Sequence, residues 1–151
     1  MQEEEKEKSH PHRRVTDIEP ILRERHAGRR VLLVEDDPLS LEVAEDFLRR
    51  TGLSVETAVD GAQAIAKARA LEKSAYALVI TDIQMPNMDV VEMARQLRKL
   101  PGYAQTPILA MTANAFDEDK VRCIEAGMDD FVIKPFDPAR LLECVLKWLD
   151  R

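Results

Sequence analysis

From Arg30 onward, short apolar runs alternate with stretches in which apolar residues recur every three or four positions. Val31–Val34, Ser54–Ala58, Ala77–Thr81, Pro107–Met111 and Asp130–Ile133 predict five strands. Most are continuous apolar runs, the pattern of strands covered on both faces. Between them, Leu39, Val43 and Phe47 recur at four-residue spacing. Val90, Met93, Ala94 and Leu97 form a second helical stripe, and Leu141, Leu142, Val145, Trp148 and Leu149 a third; all three are expected to face the core. Asp37-Pro38 and Asp137-Pro138 each supply an N-cap followed by proline at the first helical position, and Gly52 and Gly127 suit helix stops. Five successive βα units predict an α/β fold: a three-layer, doubly wound parallel sheet.

Ahead of that pattern, residues 1–28 read as a charged N-terminal arm or linker. Gln2–Arg14 shows no apolar periodicity, a short helix fits Asp17–Arg25, and the folded domain is expected over residues 29–151. A chain of 151 residues with 45% hydrophobic content can bury one sizeable core. Its apolar runs are too short for a membrane span or a secretory signal, so a cytoplasmic protein without membrane contact is expected.

Charge and residue usage narrow the chemistry. Of the formal net charge of -6, residues 1–30 hold eight basic and seven acidic groups, leaving fourteen basic against twenty-one acidic in the rest. Such an acidic body repels a phosphate backbone, so direct nucleic-acid binding is not expected. His10, His12 and His26 all precede Gly28, which leaves the body without an imidazole for general-base, triad or zinc chemistry. Cys123 and Cys144 fall in different predicted helices without Cys-x-x-Cys spacing, as reduced, packed thiols do.

In an open parallel sheet, ligands bind beyond the carboxyl ends of the strands. There the first strand delivers Glu35, Asp36 and Asp37, the third Asp82, the fourth Thr112 and the fifth Lys134. Carboxylates gathered from two strands repel one another and raise each other's pKa unless a cation sits among them. Oxygen ligands suit Mg²⁺ better than zinc. With such an ion present, an aspartate can attack phosphorus while a lysine and a hydroxyl neutralise charge on the transferring oxygens; Asp82, Lys134 and Thr112 fit those roles. Taken singly, each has a plainer reading: Asp37 and Asp36 as helix caps, Asp82 as a turn residue, Thr112 back-bonded to the main chain, Lys134 as a solvated strand end. Four strand ends in the correct order favour the joint reading.

The chain over about residues 30 to 150 resembles the receiver domains of two-component response regulators, closest in wording to those of hybrid histidine kinases. The resemblance rests on Val31-Leu-Leu-Val-Glu-Asp-Asp-Pro38, Thr81-Asp-Ile-Gln-Met-Pro-Asn-Met-Asp89, Met111-Thr-Ala113 and Phe131-Val-Ile-Lys-Pro-Phe136. It implies a flavodoxin-like sheet of strand order 2-1-3-4-5 with Asp82 as phosphoacceptor. It also implies Mg²⁺, or Mn²⁺, held by Asp36, Asp82 and the Gln84 backbone carbonyl, with Glu35 acting through water. Thr112 and Lys134 would bind the phosphoryl oxygens, Thr112 and Phe131 would form the switch, and Lys134-Pro135 would be a cis peptide. Gln84 and Asn114 fall at positions that tune phosphoryl lifetime in the family. Val90 stands where glycine is common.

The implied function is phosphorelay signalling. A phosphoryl group from a histidine kinase or histidine phosphotransfer protein would pass to Asp82 and switch an interaction surface, with a phosphorylation-dependent homodimer as one form of output. The domain would be a regulatory phosphoacceptor rather than an enzyme. Three alternatives make different demands on the same residues. A degenerate receiver would dock partners without phosphorylation. A phosphohydrolase with an aspartate nucleophile wants a carboxylate where Gln84 stands. A flavin-binding module wants a hydroxyl- and glycine-rich first loop where Glu35-Asp36-Asp37 stands.

Overall fold

The computed structural model describes residues 13–71, 75–83, 89–113, 118–134 and 137–151, with only the backbone of Glu118 and Asp119. Helix α1 (Val15–His26) precedes five βα units: β1 (Arg30–Val34), α2 (Pro38–Arg49), β2 (Ser54–Ala58), α3 (Gly61–Ala70), β3 (Leu78–Asp82), α4 (Val90–Lys99), β4 (Ile108–Thr112), α5 (Glu118–Glu125), β5 (Asp130–Ile133) and α6 (Pro138–Leu149). All strand pairs are parallel, and the order across the sheet is β2-β1-β3-β4-β5, as the resemblance implies.

The two faces of the sheet bury separate sets of side chains. Leu32, Val34, Val79 and Ala110 point toward α3, α4 and α5, whereas Val31, Leu33, Ile80, Leu109 and Met111 point toward α1, α2 and α6. Adjacent residues of one strand serve opposite layers, and this is why the strands read as unbroken apolar runs. The helix ends follow local chemistry. The Asp37 carboxylate accepts from the Ser40 backbone N–H at 2.9 Å, and the Asp137 carboxylate accepts from that of Ala139 at 3.0 Å; in each helix proline comes first. Gly52 and Gly127 adopt φ of +88° and +106° where α2 and α5 end. Val90 opens α4 as a buried residue, with Asp89 before it capping the Val91 and Glu92 amides.

Three expectations change. β3 and β4 lie one residue later than the apolar runs suggest, so Asp82 and Thr112 are the last rungs of their strands rather than the first loop residues. Their backbones are polar groups that the ladder satisfies: Asp82 is in register with Met111, and Ile83 N–H continues to the Met111 carbonyl at 3.1 Å.

The Leu39–Val43–Phe47 stripe is not core. Leu39 is 69% and Val43 41% exposed, and α2 instead buries Ala44 and Leu48. A four-residue spacing marks one helix face but not which face the sheet takes.

The helix of the N-terminal arm spans Val15–His26 and is packed on the domain, with Ile18 and Leu22 fully buried against the α2–α6 layer. Its C-terminal end is bound to the last helix: Arg25 pairs with Asp150 at 2.8 Å, and His26 Nε2 meets the same carboxylate at 2.7 Å. Among the described residues no helix is long and apolar enough to cross a membrane. Both cysteines are free thiols, and burial pushes Cys144 up to about 12, aided by the Asp130 charge.

Candidate functional site

The sheet order makes β1 and β3 neighbours whose connections leave in opposite directions, which opens a crevice beyond their carboxyl ends. Glu35 leaves β1 into that crevice, held in line by its N–H bond to the Ala58 carbonyl at 3.0 Å. One of its carboxylate oxygens accepts from the Asp37 N–H at 3.2 Å. Asp82 ends β3, and the Thr81 hydroxyl donates to the Asp82 backbone carbonyl at 2.9 Å. Glu35, Asp36 and Asp82 place carboxylate oxygens within 4.8 Å of one another; Glu35 and Asp82 are buried and Asp36 is exposed.

Lys134 reaches into the same space from the end of β5. Its ammonium lies 3.1 Å from Glu35 and 3.3 Å from Asp82. Its own backbone N–H donates to the Thr112 carbonyl at 2.8 Å, so the lysine and the buried threonine are fixed to each other across β4 and β5. Thus Glu35, Asp36, Asp82 and Lys134 come together, with Thr112 on the adjoining strand end. Asp37 stays outside as a helix cap. Phe131 is half-buried and packs partly on the α3–α5 layer, under the Lys120 ammonium at 5.2 Å from the ring centroid. Gln84, Asn114 and the Lys134-Pro135 peptide lie outside the described residues.

Charge in the cleft is unbalanced. Burial raises the pKa of Glu35, and the Asp82 charge adds to the rise. Burial opposes the Lys134 charge, but the Asp82 and Glu35 carboxylates outweigh it and raise the ammonium's pKa. Three carboxylates against one ammonium leave a surplus of negative charge once all ionise. The donor set is entirely oxygen, with two groups buried and one open to water. This suits a hard divalent cation that keeps part of its hydration.

One feature beside the site was not foreseen. The exposed side of α2 forms an apolar groove of about 300 Å³ whose lining includes Leu39, Val43 and Phe47 together with Glu35 and Lys134. Its signal in the sequence was the four-residue stripe itself, assigned to the wrong side of the helix.

Fold and cleft define the class: a doubly wound α/β domain with a carboxylate–lysine site at its topological switch point. The family model for the response regulator receiver domain matches residues 31–146. The chain is 35% identical over 122 residues to hybrid signal transduction histidine kinase L of Dictyostelium discoideum, covering 79% of this chain and 7% of the relative. It is 38% identical over 122 residues to transcription factor SKN7 of Saccharomyces cerevisiae, covering 81% and 19% respectively. The crystal structure of the receiver domain of a Pseudomonas aeruginosa sensor histidine kinase, with a magnesium ion coordinated in its active-site cleft, superimposes with a TM-score of 0.75. That domain is 35% identical; the match covers 83% of this chain and 100% of that one.

The chain belongs to the response regulator receiver domain family. It is a phosphoacceptor regulatory domain of two-component signalling. It spans less than a fifth of the length of either relative.

Proposed function

We propose that Asp82 accepts a phosphoryl group from the phosphohistidine of a histidine kinase or histidine phosphotransfer protein. The observation that carries this reading is the position of the Asp82 carboxylate: 4% exposed, at a strand end, 3.3 Å from Lys134 and grouped with Glu35 and Asp36. In the transfer, an Asp82 oxygen forms the new P–O bond as the P–N bond to the donor imidazole breaks, and the bonding pair leaves with the imidazole nitrogen. Lys134 moves from neutralising the carboxylates to neutralising phosphoryl oxygen, and the Thr112 hydroxyl donates to another oxygen. Asp36, Asp82 and the Gln84 carbonyl would hold Mg²⁺, or Mn²⁺ in its place, with Glu35 acting through water. Bound there, the dication supplies the charge that lets an anionic donor enter an acidic cleft.

In this reading residues 29–151 are the receiver and residues 1–28 the arm leading into it, with α1 docked on α6. The exposed α2 groove beside the cleft receives the donor, because apolar side chains bordering a reacting group are what a protein donor can bury. Phosphorylation then draws Thr112 inward and changes the surface formed by α5, β5 and α6, to which a downstream protein or a second receiver binds. A kinase donor places the domain in the cytoplasm.

Intact-mass measurement after incubation with acetyl phosphate tests the assignment. The phosphoryl adduct is expected with Mg²⁺, and not without Mg²⁺ or in Asp82→Asn. An unmodified wild type under the same conditions overturns it.

A further inference from the structure

The Lys120 ammonium, on α5, sits 5.2 Å from the centroid of the Phe131 ring, on β5. Among the described residues Lys120 makes no ion pair, and its charge faces the ring. Phe131 carries no hydroxyl, and its ring is only partly buried. Packing and the overlying cation therefore hold it, with no hydrogen bond from the side chain. Its backbone is fixed more firmly: in β5 it is in register with Ala110, and its N–H donates to the Asp130 carboxylate at 2.8 Å. The backbone is tied by hydrogen bonds, whereas the ring is held by packing and the cation alone.

We propose that Lys120 is a positioning residue that latches Phe131 in its half-buried place, and that phosphorylation of Asp82 works against this latch. The inference rests on the proposed role of Asp82 and on Phe131 as the switch aromatic. α5 begins at Glu118, six residues after Thr112. In this proposal a Thr112 drawn toward a phosphoryl group shifts the helix that carries Lys120, and the cation–π contact weakens as the ammonium leaves the ring face. A partly exposed cation–π pair biases a two-state equilibrium by about two- to fivefold. That is enough to tune a switch without locking it.

Beryllofluoride binding in the presence of Mg²⁺, followed by calorimetry on the full chain, tests the latch. Lys120→Met keeps the length of the side chain without its charge, and Lys120→Arg keeps the cation. Lys120→Met is expected to bind about two- to fivefold more tightly than wild type, with Lys120→Arg close to wild type and no effect of Lys120→Met in a Phe131→Ala background. Loss of a positive charge by itself would weaken binding of an anion, so tightening separates the latch from simple electrostatics. If wild type binds in an Asp82-dependent way but Lys120→Met binds equally or more weakly, or its effect survives in Phe131→Ala, the latch is overturned while the acceptor reading stands. If wild type does not bind beryllofluoride, the acceptor reading fails and the latch falls with it.

Discussion

Trp148 donates its indole N–H to the Asp130 carboxylate at 2.8 Å, joining the last turn of α6 to the first residue of β5. The same carboxylate accepts from the Phe131 N–H and the Cys144 thiol, and Lys147 lies 3.5 Å away. Burial by itself would raise the pKa of Asp130, but these donors outweigh it and hold the group below the usual carboxylate range. A depressed folded-state pKa gives stability that is present above the unfolded value of about 4 and is lost as pH falls through the folded value.

Acid denaturation should therefore expose this brace. Asp130→Ala is expected to cost about 1–3 kcal/mol at neutral pH, and the deficit relative to wild type should shrink as pH drops below about 4. Trp148 is the sole tryptophan, so its fluorescence follows unfolding from the site of the change. A deficit that stays constant down to acid pH would remove the carboxylate's ionisation from the account.

If the proposed reading holds, a cation bound among Glu35, Asp36 and Asp82 stabilises the cleft by relieving their crowding. Mg²⁺ at ten times its dissociation constant should add about 1.4 kcal/mol to wild-type stability. Asp82→Asn and Asp36→Asn should each lose most of that increment while being no less stable than wild type in chelator, since each relieves like-charge repulsion. Thermal unfolding with Mg²⁺ and with chelator checks both parts. An undiminished Mg²⁺ shift in Asp82→Asn would place the ion elsewhere.

Legibility in the sequence tracked the range of the interaction. Asp37-Pro38 and Asp137-Pro138 marked helix starts because capping is decided within a few residues. The strand ends carrying Glu35, Asp82, Thr112 and Lys134 were readable as one site because the parallel order converts chain order into spatial order. The one-residue offset of β3 and β4 was not, because a continuous apolar run has no phase. Contacts between distant residues left no local mark: neither Trp148 with Asp130 nor Arg98, which donates to the carbonyls of Tyr103, Thr106 and Gly127, could be paired from spacing. The burial of Ile18 and Leu22 was hidden for the same reason, and the stripe on α2 misled because a helix period names a face without naming its neighbour.

That misassigned stripe now makes a prediction about partner docking. Val43→Asp changes a residue that is 41% exposed and so should alter stability by no more than about 0.5 kcal/mol. Labelling by acetyl phosphate should be unchanged, since a small donor needs only the cleft. Transfer from a phosphohistidine protein should slow on the order of tenfold, the loss expected when one anchor of an interface is charged. Equal slowing with both donors would mean that the substitution disturbs the cleft rather than a docking surface.

The N-terminal helix provides a test of how far the folded unit extends. Leu22 is fully buried between α1 and the layer formed by α2 and α6, outside the residues matched by the family model. If α1 is part of the cooperative unit, Leu22→Ala leaves a cavity in that unit and lowers its stability by about 2–5 kcal/mol. Urea unfolding followed by Trp148, which packs against the same cluster, should then show a lower midpoint with an unchanged slope. If α1 only adheres to a receiver that is complete without it, Trp148 fluorescence and the cleft's Mg²⁺ response would be untouched. The helix alone would open, seen as fast amide exchange from Val15 to His26 against slow exchange in β1. The two bonds from Arg25 and His26 to Asp150 favour the first outcome, because opening α1 also releases the end of α6.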